Sequence, residues 1–194
     1  LQQLCVGWTV IALAVLLLLD AQDIGRALEP AQQVLAIVGV EKGRQRLGIL
    51  AEHGLGIHEI TDVIASLTPL DGAAEFLADL RARTQVVILS DTFEQFAAPL
   101  MAQLGWPTIL CHRLVVDGDR IVDYRLRMPD PKRQAVRALH GLNYRVLAAG
   151  DSYNDTGMLG AADAGFFIHP PPGIVAQFPQ FPVNASYAEL KASI

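Results

Sequence analysis

The chain has 194 residues, of which 52% are hydrophobic and 18% charged. That composition excludes a disordered chain and suits one globular domain, or one domain with a small inserted lobe. The net charge is −5 and no run of basic residues exists, which excludes nucleic acid as the main partner. Two cysteines, Cys5 and Cys111, cannot build a disulfide framework; they read as buried free thiols of a reducing compartment, so a cytoplasmic location is expected.

The first element is an uncharged run from Leu4 to Leu19. A membrane span needs about 20 apolar residues. A signal peptide needs a basic segment ahead of the apolar one, and the first Lys or Arg is Arg26. The run therefore reads as a buried strand or helix in preference to a membrane anchor. The chain begins at Leu1 rather than Met, as a fragment or a shifted reading frame would.

Residues 26–67 read as helical, with Leu47, Ile49 and Leu50 as the apolar positions of Arg44 to His53 and a break at Gly54 and Gly56. Ile60, Val63, Ile64 and Leu67 step at helical spacing, as do Leu70, Ala73, Ala74, Leu77 and Leu80, the latter with Asp71 as the expected N-cap. From residue 85 strands and helices alternate. Val86 to Leu89 is a short apolar run suited to a strand buried on both faces, and a helix follows from about Phe93 to Leu104. Thr108 to Cys111 reads as a strand. Leu114 to Val116 and Arg120 to Tyr124 form a hairpin around Asp117-Gly118. A helix over residues 131–141 opens with Pro131, and Arg145 to Ala149 and Phe166 to Ile168 are strands. This alternation predicts an α/β fold with a mostly parallel sheet and a ligand site beyond the carboxyl ends of its strands.

Two polar clusters stand at such ends. Ser90-Asp91-Thr92 follows the first apolar run, and Gly150-Asp151-Ser152-Tyr153-Asn154-Asp155 follows Val146 to Ala149. Hydroxyls and free N–H groups at a helix start suit phosphate. The carboxylates of Asp151 and Asp155 are hard oxygen ligands that favour Mg²⁺. Lys132, at another helix start, is suited to act as a point charge on phosphate. Singly, each feature is an ordinary cap, turn or solvated lysine; their order and shared placement set them apart. His53, His58, His112, His140 and His169 lack metal-ligand spacing and read as surface or satisfied residues. Asn184-Ala185-Ser186 fits a glycosylation acceptor without any sign of secretion. Trp8 and Trp106 read as packing residues.

The order of Val86 to Ser90, Lys132, and Gly150 to Asp155 resembles the second, third and fourth motifs of the haloacid dehalogenase superfamily. Arg46 to Gly54, Ser90 to Phe93, Asp130 to Gln134, Gly150 to Thr156 and Gln177 to Pro182 together are similar to the ThrH-type phosphoserine phosphatase/homoserine phosphotransferase group, over roughly residues 44–192. The resemblance implies a single domain over residues 1–194. It would have a Rossmann-like α/β core, a small helical cap at about residues 14–70, and the main part of the core at 71–194. It implies a Mg²⁺-dependent phosphomonoesterase of serine biosynthesis that converts O-phospho-L-serine to L-serine and phosphate, with phosphotransfer to homoserine as an extension. In such enzymes an aspartate attacks phosphorus and a second acid two residues later serves the leaving alcohol and water. Ser90 would bind phosphoryl oxygens, with Asp91 and Thr92 beside the substrate. Lys132 would neutralise charge, Asp151 would ligate Mg²⁺, Asn154 and Asp155 would order the site, and Arg46 would clamp the substrate carboxylate. The implied partner is a small phosphorylated amino acid, with no nucleic acid and no membrane, and a homodimer left open.

The first motif of that family, a hydrophobic strand ending in Asp-x-Asp/Glu-Gly, has no counterpart near Cys5, where Val6-Gly7-Trp8-Thr9-Val10 stands. The nearest acids, Asp20 and Asp23, are three apart, and the early-cap glutamate has no match either. The alternative is therefore a catalytically impaired or non-catalytic relative that binds metal or phosphorylated amino acid.

Overall fold

The computed structural model describes residues 9–14 and 54–194. Most of the predicted cap, with Arg46, and the acids Asp20 and Asp23 lie outside the described residues.

The described chain folds as β1 (Thr9–Ala14), α1 (Ile57–Ala65), α2 (Ala73–Arg81), β2 (Gln85–Phe93), α3 (Glu94–Gln103), β3 (Thr108–Asp117), β4 (Arg120–Arg125), α4 (Pro131–Gly141), β5 (Arg145–Gly150), α5 (Thr156–Ala161), β6 (Ala164–Ile168), α6 (Pro172–Gln177), β7 (Val183–Asn184) and α7 (Tyr187–Ser193). Seven strands form one sheet in the order β4-β3-β2-β1-β5-β6-β7, parallel throughout except for β4. The expected α/β architecture is thus observed, and β1 runs through the greasy N-terminal segment, here as a strand.

Period-two alternation sends side chains to two cores. Val86 and Ile88 of β2 and Leu147 and Ala149 of β5 join Phe76, Leu77, Leu80, Leu100 and Met101 from α2 and α3 on one face. Leu89, Val146 and Ala148 join Val136, Met158, Leu159 and Ile174 from α4, α5 and α6 on the other. Helices cover both faces, so the central strands read as continuous apolar runs. A third cluster seats Ile57, Ile60 and Ile64 of α1 on Phe93, Phe96 and Leu114.

The N-terminus of α1 is held by the β3–β4 turn. Ile57 N–H donates to the Asp119 carbonyl at 2.8 Å, and His58 N–H donates to Asp119 Oδ1 at 2.9 Å. A Cβ at Gly56 would lie 2.0 Å from Asp119 Oδ2, so only glycine lets this turn approach.

Several expectations shift. The N-cap of α2 is Gly72 in a left-handed conformation (φ 80°), not Asp71, because the chain must turn sharply into the helix. The residues read as two strands, Thr108 to Cys111 and Leu114 to Val116, are one continuous strand, β3. Trp106 does not pack: it is 64% exposed at a positive φ of 53°. Asn184 is buried, with its amide donating to the Phe167 carbonyl, and so is no glycosylation acceptor. Cys111 is buried as expected. Among the described residues no helix is long and apolar enough to cross a membrane.

Candidate active site

Sheet order places the site. The chain runs outward from β1 through β2, β3 and β4, then returns to the other side of β1 at β5. Ligands of open α/β sheets bind at such a reversal, beyond the carboxyl ends. Ala14 pairs with Leu89 and Leu13 with Ala149, so the chain after Ala14 leads on between Ser90 on one side and Gly150-Asp151 on the other.

Ser90-Asp91-Thr92 is not the strand-to-helix junction that the sequence suggests. Leu89 pairs with Leu110, while Phe93, four residues on, pairs with His112, only two further along β3. The three polar residues therefore bulge out of β2, and α3 begins only at Glu94 with Phe93 as its N-cap. A bulge bends the strand and re-aims its side chains, which is why such irregularities recur beside active sites. Ser90 and Thr92 are buried, and Ser90 Oγ accepts from the Thr92 N–H at 3.1 Å.

Lys132 enters from the first turn of α4, behind Pro131. It is 8% exposed, and its Nζ lies 2.8 Å from Asp155 Oδ1 and 2.9 Å from Asp91 Oδ2. Burial opposes its charge, but the two carboxylates outweigh burial and hold the ammonium above its ordinary pKa.

Asp155 follows β5 through a single 3₁₀ turn, Tyr153–Asp155, and is fully buried. Its Oδ2 accepts from the N–H of Asp151 (3.1 Å), the N–H of Ser152 (3.0 Å) and the Ser152 hydroxyl (2.8 Å). Burial alone would raise its pKa; Lys132 and these donors reverse the shift and keep it ionised. Gly150 permits this packing, since a Cβ there would stand 2.5 Å from Asp155 Cβ.

Asp151 is the opposite case. Burial, then the charge of Asp155, pushes its pKa up to about 6. Its Oδ1 is buried and has no hydrogen-bond partner among the described residues. Such an atom costs free energy unless something fills its lone pairs. A hard cation fits there: Mg²⁺ is bound through one or two carboxylates, waters and substrate phosphate, without an all-protein cage. Among the described residues no group of three or more His, Cys, Asp or Glu is placed to hold a metal.

Ser90, Asp91, Thr92, Lys132, Asp151 and Asp155 are thus brought together. Asn154 lies in the same turn, exposed. Arg46 is outside the described residues. Val15 to Leu19, directly after β1, contain no carboxylate, and the first one is Asp20. Sequence reasoning set aside His112. It is buried beside the bulge, tilted against Phe93 with ring centroids 6.3 Å apart. Its Nδ1 accepts the Arg127 N–H at 3.1 Å, which leaves the proton on Nε2, and burial lowers its pKa and keeps the ring neutral. Only the bulge register, invisible in sequence, brings it here.

The model of haloacid dehalogenase-like hydrolases matches residues 13–163. The chain is 59% identical over 149 residues to a phosphoserine phosphatase of Pseudomonas syringae pv. tomato, covering 76% of this chain and 63% of that protein. It is 58% identical over 149 residues to the phosphoserine phosphatase ThrH of Pseudomonas aeruginosa, covering 76% of this chain and 73% of that protein. The match therefore spans under two thirds of the P. syringae relative. Among solved structures, a substrate-bound phosphoserine phosphatase complex superposes with a TM-score of 0.74 at 18% identity, over 97% of this chain and 98% of that one. A phospho-aspartyl intermediate analogue of phosphoserine phosphatase gives 0.73 at 18% identity, over 95% and 98%. At that identity the two structures bear on the fold; the family model and the two close relatives settle the family. The chain belongs to the haloacid dehalogenase-like hydrolases.

Proposed function

We propose that this chain is a Mg²⁺-dependent phosphomonoesterase of the phosphoserine phosphatase type, acting on O-phospho-L-serine, with phosphotransfer to homoserine when an alcohol replaces water as acceptor. The observation that carries the reading is Lys132, buried between two carboxylates beside a buried serine hydroxyl at the carboxyl ends of β2 and β5. The two Pseudomonas relatives, which bear the name phosphoserine phosphatase, support the choice of substrate.

In this reading Ser90 donates to a phosphoryl oxygen, and the third Lys132 N–H donates to another. Asp155 holds Lys132 and orders the 150–155 turn, with Asn154 beside it, and Thr92 fixes the Ser90 hydroxyl. Asp151 would hold Mg²⁺ through its Oδ1, and the metal would supply positive charge against the phosphoryl group. In this reading the helical cap, expected over about residues 14–70, falls between β1 and α2, and the planar fork of Arg46 would clamp the substrate carboxylate from it. The compartment is the cytoplasm.

A second reading is favoured by one observation: no carboxylate stands in Val15 to Leu19. Without a nucleophile the chain would bind metal and phosphorylated amino acid without turnover. Losing a nucleophile and its acid partner costs many orders of magnitude in rate. One paired experiment separates the readings: phosphate release from phosphoserine with Mg²⁺, beside calorimetric binding of inorganic phosphate. Turnover abolished by Lys132→Ala supports the phosphatase. Binding without turnover supports the second reading. Neither binding nor turnover ends both.

A further inference from the structure

An ammonium has three donors, and Lys132 spends two of them on carboxylates. The two carboxylates differ. Asp155 is fully buried, and both its oxygens are saturated by Lys132, Ser152 and backbone N–H groups. The Asp91 side chain is 21% exposed and its Oδ2 is engaged by Lys132, while no hydrogen bond or ion pair engages its Oδ1 among the described residues. Asp155 alone neutralises Lys132. Asp91 adds a negative charge to a cradle meant for an anion, and that charge weakens phosphate binding. The cost is recovered if the ligand carries a cation of its own.

We infer that Asp91 is the anchor for the ammonium group of a phosphorylated amino acid, and so sets the site's preference over phosphomonoesters that lack an amine; the inference rests on the phosphoserine reading above. Geometry supports it. Ser90 and Asp91 are consecutive in the bulge, so their Cα atoms are about 3.8 Å apart. Asp91 Oδ2 and a phosphoryl oxygen would share Lys132, which sets them within two hydrogen-bond lengths of each other, about 6 Å. In phosphoserine only Cα, Cβ and Oγ separate the ammonium nitrogen from phosphorus. A phosphoryl group on Ser90 and Lys132 therefore leaves the ammonium within reach of Asp91 Oδ1. The neighbouring His112 ring is neutral and does not compete for that carboxylate as a cation.

The test uses ligands that cannot turn over: 2-amino-4-phosphonobutanoate, in which carbon replaces the bridging oxygen of phosphoserine, its deamino counterpart 4-phosphonobutanoate, and inorganic phosphate, each titrated calorimetrically with Mg²⁺ present. The wild-type chain should bind the amino phosphonate roughly tenfold more tightly than the deamino one, the scale of one charged hydrogen bond. Asp91→Asn should bring that ratio to about one, and Asp91→Glu should restore part of it. Any effect on Lys132 would shift all three ligands together and leave the ratio alone. A ratio unchanged in Asp91→Asn overturns the inference. So does equal binding of both phosphonates by the wild type, while leaving the phosphomonoester reading intact. Failure of the wild type to bind any of the three overturns that reading as well.

Discussion

Lys132 and Asp155 are each tolerable in the interior only because of the other. Removing one partner of a buried pair leaves an uncompensated charge, a loss of about 3–5 kcal/mol. Lys132→Ala should therefore lower the urea-unfolding free energy by about 3 kcal/mol at neutral pH. The pH dependence has a definite sign. The Asp155 carboxyl is held below its ordinary range, so its contribution is present above the unfolded value of about 3.9 and is lost as pH falls through the depressed folded value. The gap between wild type and variant should thus be full at neutral pH and shrink below about pH 4. A gap that persists undiminished in acid would mean that Lys132 contributes packing rather than charge. The identities of these residues were legible in the sequence because each follows an apolar run or opens a helix. The pairing of Asp91 with Lys132 was not, because it depends on where a bulge turns one side chain.

At the scale of elements, the β3–β4 turn acts as the cap of a helix that is distant in sequence. Asp119 supplies its carbonyl and its carboxylate to the first N–H groups of α1, a role usually filled by the residue just before the helix. Asp119→Ala should remove the carboxylate contact and cost roughly 1 kcal/mol. The loss should be local: amide exchange in residues 57–60 should speed up while exchange in β1, β2 and β5 stays as it was. Uniform acceleration across the sheet would show that α1 and the core unfold as one unit. Periodicity announced α1 and α2, but nothing in residues 54–58 announced a cap contributed from residue 119. The same blindness explains β2: its apolar run ends at Leu89, while the strand continues to Phe93 through residues whose composition suggests a turn.

For the whole molecule, the fold was legible because a parallel sheet covered on both faces demands continuous apolar strands, and Val86 to Leu89 and Val146 to Ala149 are such runs. The final strand was not: β7 is two residues long, too short for any pattern, and exists because Phe167 N–H donates to the Pro182 carbonyl and His169 N–H to that of Asn184.

Cys111 lies in mid-β3, one residue before His112, with its carbonyl accepting from Arg127 Nε at 3.2 Å. Burial, aided by the charge of Glu94, pushes its thiol up to about 11. Almost none of it is thiolate at pH 8, and thiolate is the reactive form. The strand thereby carries its own stopwatch. In a Cys5→Ser background, alkylation of Cys111 should be slow in the native protein and should accelerate with urea in step with the unfolded fraction, because only opening of β3 restores an ordinary thiol. Labelling that runs ahead of the cooperative transition would show that the β3–β4 edge opens by itself, next to the bulge that presents Ser90 and Asp91.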